Sequence, residues 1–139
     1  MAERILTSAY GTGPGSRVRL ANTRLSDPEV LSIEDVAAGN GAGNATPLSL
    51  IKTVSTVTTA TNSSHVSLAD GVTGQVKVIV HKTQSSGVDL VITPANFANG
   101  TKITSDAASR SITLCFDGTN WQVIAGEITG TAEMVITTE

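Results

Sequence analysis

The sequence predicts an all-β domain, an antiparallel β-sandwich or β-barrel, preceded by an extended N-terminal arm that holds at most one short helix. Two observations point to the β class. Short segments in which apolar and polar residues alternate recur through the C-terminal two-thirds of the chain, and pairs such as Asp70-Gly71, Asn99-Gly100 and Asp117-Gly118 fall between them. The composition agrees: 15% of the 139 residues are charged, against about 25% in an average domain, and Thr, Ser, Gly and Asn fill the difference. Aromatics make up 3%, so the core is aliphatic and β-branched and has few rings to stack on bases or sugars.

Residues 1–47 read as the arm. They carry two glycine-rich patches, Gly11-Thr12-Gly13-Pro14-Gly15-Ser16 and Gly39-Asn40-Gly41-Ala42-Gly43-Asn44, and no sustained alternation. Ordering so much glycine costs backbone entropy, so the segment needs a surface to lie against. The one helix predicted inside it starts at Ser26 as N-cap, with Pro28 in the first turn and Glu29 completing a capping box, and stops at Gly39. Val30, Leu31, Ile33 and Val36 give that helix one apolar side.

Residues 48–139 read as the β domain. Strands are predicted over 51–59, 66–68, 76–82 and 88–93, then on Ile112, Leu114 and Phe116, on Trp121, Val123 and Ala125, and on Met134 with Ile136. In the third of these, Val76, Val78 and Val80 form a purely aliphatic face and are assigned to the core, with Lys77, Ile79 and His81 opposite. Asp117-Gly118-Thr119-Asn120 reads as a hairpin loop joining Phe116 to Trp121. No internal repeat is evident.

Charge and motif content narrow the chemistry. A net charge of −3 with scattered basic residues gives no footprint for a nucleic-acid backbone. No apolar run approaches the roughly 20 residues of a membrane span, and no signal peptide is evident. The lone Cys115 cannot form an internal disulfide, which fits synthesis in a reducing cytoplasm. Neither glycine patch completes a phosphate-binding fingerprint. His65 and His81 lack the spacing of a metal-ligand pair, and no nucleophile has an evident base. The expectation is therefore a protein that is not an enzyme and carries no cofactor, metal or small-molecule substrate.

Arg4, Arg17, Arg19 and Arg24 stand out because the first 25 residues hold these four arginines and one acid, Glu3. Arginines on such a segment suit bidentate pairing with carboxylates of a partner surface. On the β domain, Ile79, Val91, Ile124 and Val135 are apolar residues predicted to face away from the main aliphatic face. They are candidates for a subunit interface, or for a two-sided core within one chain.

The run Ser67-Leu68-Ala69-Asp70-Gly71, Gly74-Gln75-Val76-Lys77-Val78-Ile79-Val80, Val91-Ile92-Thr93-Pro94-Ala95-Asn96, Ile112-Thr113-Leu114 and Phe116-Asp117-Gly118-Thr119-Asn120-Trp121 resembles a module of virion structural proteins from tailed phages, notably those infecting cyanobacteria and other marine bacteria. The resemblance covers roughly residues 48–126. It implies a virion surface component that forms a homotrimer, made in the host bacterial cytoplasm. The function expected from it is capsid decoration, or cement: a trimer on the head exterior whose arm clasps the major capsid protein. The alternative is a head-fibre or tail-fibre module that recognises a host surface.

Overall fold

The computed structural model describes residues 31–60, 63–126 and 134–137. Eleven strands and one 3-10 turn, at Ala42–Asn44, make up its regular structure: β1 (Ile33–Ala37), β2 (Gly39–Asn40), β3 (Thr46–Pro47), β4 (Val54–Thr58), β5 (Ser64–Leu68), β6 (Val76–Thr83), β7 (Leu90–Pro94), β8 (Lys102–Ser105), β9 (Arg110–Phe116), β10 (Trp121–Gly126) and β11 (Met134–Thr137). They form an all-β sandwich. One sheet runs β1-β4-β6-β9-β10 and the other β11-β8-β7-β5-β2, with β3 also paired to β5.

The strands are not all antiparallel. β1 lies parallel to β4, β4 to β6, β3 to β5 and β5 to β7. Parallel neighbours need a crossover between them, and here each crossover runs through the opposite sheet: β2 and β3 between β1 and β4, β4 between β3 and β5, β5 between β4 and β6, and β6 between β5 and β7. The chain therefore winds as a coil, stepping from Ile33 to its neighbour Val54 and on to Val78 in one sheet, and from Thr46 to Val66 and on to Ile92 in the other. The coil closes with antiparallel pairs: β7 with β8, β8 with β11, β6 with β9 and β9 with β10.

Two sequence expectations are corrected at the N-terminal side. Where the apolar spacing and capping box predict a helix, Ile33–Ala37 is a strand; residues 26–30 lie outside the described residues. In consequence residues 31–47 belong to the sandwich rather than to an arm, because β1, β2 and β3 all pair with its strands. Propensity yields here to tertiary pairing, since β1 gains a full edge ladder on β4.

The core between the sheets is aliphatic, with Val57, Val66, Leu68, Ile79, Leu90, Ile92, Ile103, Ile112 and Leu114 buried, and it is sealed at one end by Phe116 and Trp121. Their rings meet edge to face at 5.2 Å. β6 is turned over relative to the sequence reading: Lys77, Ile79 and His81 point inward, and Val76, Val78 and Val80 lie on the outer face. Ile79 is fully buried in this core, so it is not a subunit-interface residue.

Trp121 is the meeting point of several turns. Its indole Nε1 donates to the Ala69 carbonyl at 3.0 Å, and its amide donates to the Asn96 carbonyl at 2.8 Å. The predicted hairpin before it is present, with the Asp117 carboxylate accepting from the Thr119 and Asn120 amides at 2.8 Å each and Gly118 at φ 105°. Gly71 is glycine for a different reason. A Cβ there would lie 3.0 Å from Trp121 Cζ2 and 2.6 Å from Gln75 Oε1. Gly71→Ala is expected to destabilise the fold by about 1–3 kcal/mol through overpacking, read as a lower urea midpoint with an unchanged m-value.

Candidate functional site

The chemistry inside the sandwich is concentrated on two residues of β6. Lys77 is fully buried, and its ammonium donates to the carbonyls of Ser49 at 2.7 Å and Lys52 at 2.8 Å and to Glu34 Oε1 at 3.2 Å. Glu34, on β1, also accepts from the Ser49 amide at 3.0 Å and from the Ser55 hydroxyl. Every proton of the ammonium has an acceptor, so the charge is buried without being orphaned. Burial raises the Glu34 pKa, but the Ser55 hydroxyl, the Ser49 amide and the Lys77 charge together outweigh it and hold the carboxyl below its ordinary value. Burial pulls the Lys77 pKa down, and Glu34 opposes this.

Toward the other end of the strand, His81 is also fully buried. The Ser105 hydroxyl donates to the Ala107 carbonyl at 3.0 Å, which leaves its oxygen to accept from His81 Nδ1 at 2.9 Å. That fixes the tautomer protonated on Nδ1, and Nε2 is buried with no hydrogen-bond partner among the described residues. Burial, aided by the charge of Arg110, pushes the imidazole pKa below its ordinary value against the Ala107 carbonyl and Asp89. Arg110 itself is paired with Asp106.

The surface has one conspicuous feature. Among the described residues seven large hydrophobics are exposed, and five of them, Leu31, Ile33, Ile51, Val72 and Val76, gather where the mutually parallel strands β1, β4 and β6 begin. Ile51 and Val72, 88% and 73% exposed, sit in loops rather than strands. The Gln75 amide ties those loops together, donating to the Leu50 carbonyl at 2.5 Å and accepting from the Val72 amide at 3.0 Å. This is the same end that Trp121 seals.

The residues singled out in the sequence are dispersed. Arg4, Arg17, Arg19 and Arg24 lie outside the described residues. Val91 and Val135 share one row on the outer face of the second sheet, each opposite Thr104, with Val91 half-buried and Val135 43% exposed. Ile124 stands 57% exposed at a bulge in β10, on the other sheet. The apolar end escaped the sequence reading, although Val72 between Gly71 and Thr73-Gly74 is an aliphatic residue in a turn that has no internal use for one.

A cavity of about 210 Å³ opens beside edge strand β1, lined by Asp35, Val36, Ala37 and Thr58; its carboxylate is already paired with Lys82 at 2.5 Å. Among the described residues no three His, Cys, Asp or Glu side chains converge as metal ligands would. Comparison with known proteins finds no matching family model, no matching curated protein and no matching solved structure.

Two predictions come from the buried groups. Glu34→Ala leaves the Lys77 charge short of its counter-ion and is expected to cost about 3 kcal/mol, whereas Glu34→Met combined with Lys77→Met costs far less, because no unpaired charge stays buried; urea denaturation of the three proteins checks this. The second concerns pH. With the folded pKa of His81 below 6.5, the unfolded chain takes up the proton first, so the contribution of neutral His81 to stability is present above pH 6.5 and is lost as pH drops toward the folded value. Glu34, its folded pKa below 4.5, adds a separate loss only at lower pH. Thermal unfolding between pH 7.5 and 5 is expected to show a declining Tm in wild type and a flatter profile in His81→Asn, which keeps a donor toward Ser105.

Proposed function

We propose that this chain is a capsid decoration protein of a tailed phage, bound to the head exterior as an oligomer and stabilising the assembled shell. The observation that carries the reading is the convergence of the five motifs that resemble virion proteins. They are spread from Ser67 to Trp121 in sequence, yet hydrogen bonds join four of them at one end of the sandwich, and the fifth, Ile112-Thr113-Leu114, lies in β9 beside β6. Ala69 receives the Trp121 indole, the Asn96 amide group donates to Asp70 at 2.7 Å, the Ala95 amide donates to Leu68 at 2.8 Å, the Gly74 amide to Phe116 at 2.7 Å, and the Phe116 amide to Gln75 at 2.9 Å. Five short matches that fold into one unit support a resemblance of a whole module rather than of separate turns.

A rigid sandwich with an apolar end suits a protein whose work is attachment. A ligand that binds only the assembled lattice stabilises it by mass action, and an oligomer attached at several points gains effective affinity without new contacts in each subunit. In this reading Arg4, Arg17, Arg19 and Arg24 supply bidentate contacts to carboxylates of the major capsid protein. The boundary of that attachment segment moves from residue 47 to residue 30, since 31–47 are part of the sandwich.

Quantitative mass spectrometry of purified particles tests the proposal. A copy number of the same order as that of the major capsid protein is expected; a handful of copies points instead to the fibre alternative, and none at all removes the virion reading. Replacing all four arginines by glutamate is expected to abolish binding to purified heads while leaving the Tm of the isolated protein unchanged. Retained binding by that variant would exclude the arginines from the contact.

A further inference from the structure

We infer that the apolar end and the adjoining outer face of the β1-β4-β6 sheet form the surface through which copies of this chain associate. The proposal rests on the oligomeric reading above and assigns it a place.

β6 is inverted relative to its hydrophobic pattern. A strand with Val76, Val78 and Val80 on one side and Lys77, Ile79 and His81 on the other is turned so that the valines face out. Val78 stands beside Val54 and Val54 beside Ile33, which makes an aliphatic row across three parallel strands. Exposed aliphatic rows are disfavoured on a free surface and become favourable when covered. The row runs into Val76 and from there into the cluster at the strand starts. Judged by their fractional exposures, the five exposed side chains leave uncovered the equivalent of roughly three whole aliphatic residues, on the order of 400–500 Å². That is the upper part of the ~300–600 Å² of the largest patch on typical monomers. Two such patches, widened by the half-buried Val54 and Val78, approach the ~1,200 Å² of the smallest specific interfaces.

The charges around the patch suit a copy of the same chain as its occupant. A surface that meets its own copy meets its own charges, and like charges brought together are costly. Leu31, Ile33, Ile51, Val54, Val72 and Val76 include no charge. The charges that border it are of both signs: Lys52 beside Ile51, Asp70 just before Gly71 and Val72, and on the outer face Asp35 paired with Lys82 at 2.5 Å. The patch is therefore self-compatible in charge although the chain as a whole is acidic. It is also held ready: Gln75 fixes both loops, and the Lys77 ammonium fixes the Ser49 and Lys52 carbonyls on either side of Ile51. Little loop entropy remains to be lost on association.

The test uses the full chain in sedimentation equilibrium from low micromolar to submillimolar concentration. Wild type is expected to self-associate, and Ile51→Asp combined with Val72→Asp to weaken association about 100-fold, as loss of two central contacts does. Both side chains are in loops and largely exposed, so the variant keeps its Tm; Ile51→Lys alone serves if it does not. The native Cys115, half-buried on the outer face opposite Val76, gives an independent readout. Its labelling by a thiol reagent is expected to slow as wild-type concentration rises, and to be independent of concentration in the variant.

A wild-type chain that stays monomeric throughout overturns the proposal, as does an Asp variant that associates like wild type. If wild type is monomeric but the variant loses head binding, the patch belongs to the capsid and the proposal fails while the decoration reading stands. If wild type associates through this patch but is missing from virions, the inference holds and the decoration reading fails.

Discussion

The ammonium of Lys77 determines more of this structure than any other single group. A lysine charge taken out of water is tolerated only when acceptors surround it, and here three come from two separate pieces of chain: the Glu34 carboxylate on β1 and the Ser49 and Lys52 carbonyls of the loop before β4. Satisfying it places β1 at the edge of β4, where Glu34 faces inward, and shapes the loop that carries Ile51. It also fixes which side of β6 is inside. The local hydrophobic pattern alone favours the reverse, with Val76, Val78 and Val80 in the core. The interaction is therefore better read as a specifier of register and facing than as a large net stabiliser. A slip of β6 by one residue would bury the valines but expel Lys77 from its acceptors and leave the half-buried Glu34 without its cation.

The winding path depends on the same device. In a coil whose turns place consecutive strands in opposite sheets, the first turn has a neighbour on one side only, and its two shortest strands, β2 and β3, contribute two residues each. β1 packs little apolar bulk inward, Val36 being half-buried. Its polar contact with Lys77, together with the ladder to β4, ties the first turn to the second and third at once. The later turns rely on ordinary burial, with Val57, Val66, Ile79, Leu90 and Ile92 all at or near zero exposure.

Much of the β architecture was legible because it is written locally. The strands at β4, β5, β6, β7, β9, β10 and β11 follow alternation, and the Asp117 hairpin follows turn chemistry. What was not legible depends on partners far away in sequence. β1 reads as a helix because its apolar spacing follows a capping box, and the inward Glu34 that marks it as a strand makes sense only beside Lys77, forty-three residues on. β8 offers one large apolar residue, Ile103, and gives no alternation to detect. Parallel pairing leaves no mark on a single strand, since the same alternation serves either direction. The apolar end was missed for a related reason: Leu31, Ile51, Val72 and Val76 are remote in sequence and become neighbours only because three parallel strands start at the same level.

That common starting level joins the packing to the surface. Parallel strands stack their beginnings, so one residue from each turn of the coil arrives at the same end of the sheet. The β9-β10 hairpin turns there too, and Trp121 closes the core beneath it, held by Ala69 and pressed against Gly71. The exposed aliphatic residues therefore stand where hydrogen bonds tie the turns to one another rather than on free loops. A weakened Trp121 cluster would loosen the core and the apolar end together. In an interface near the lower limit of specific area, affinity depends on how little order must be gained on binding. The buried lysine and the sealed tryptophan end supply that order in advance, so the residues that set the fold also prepare the surface on which association is proposed to occur.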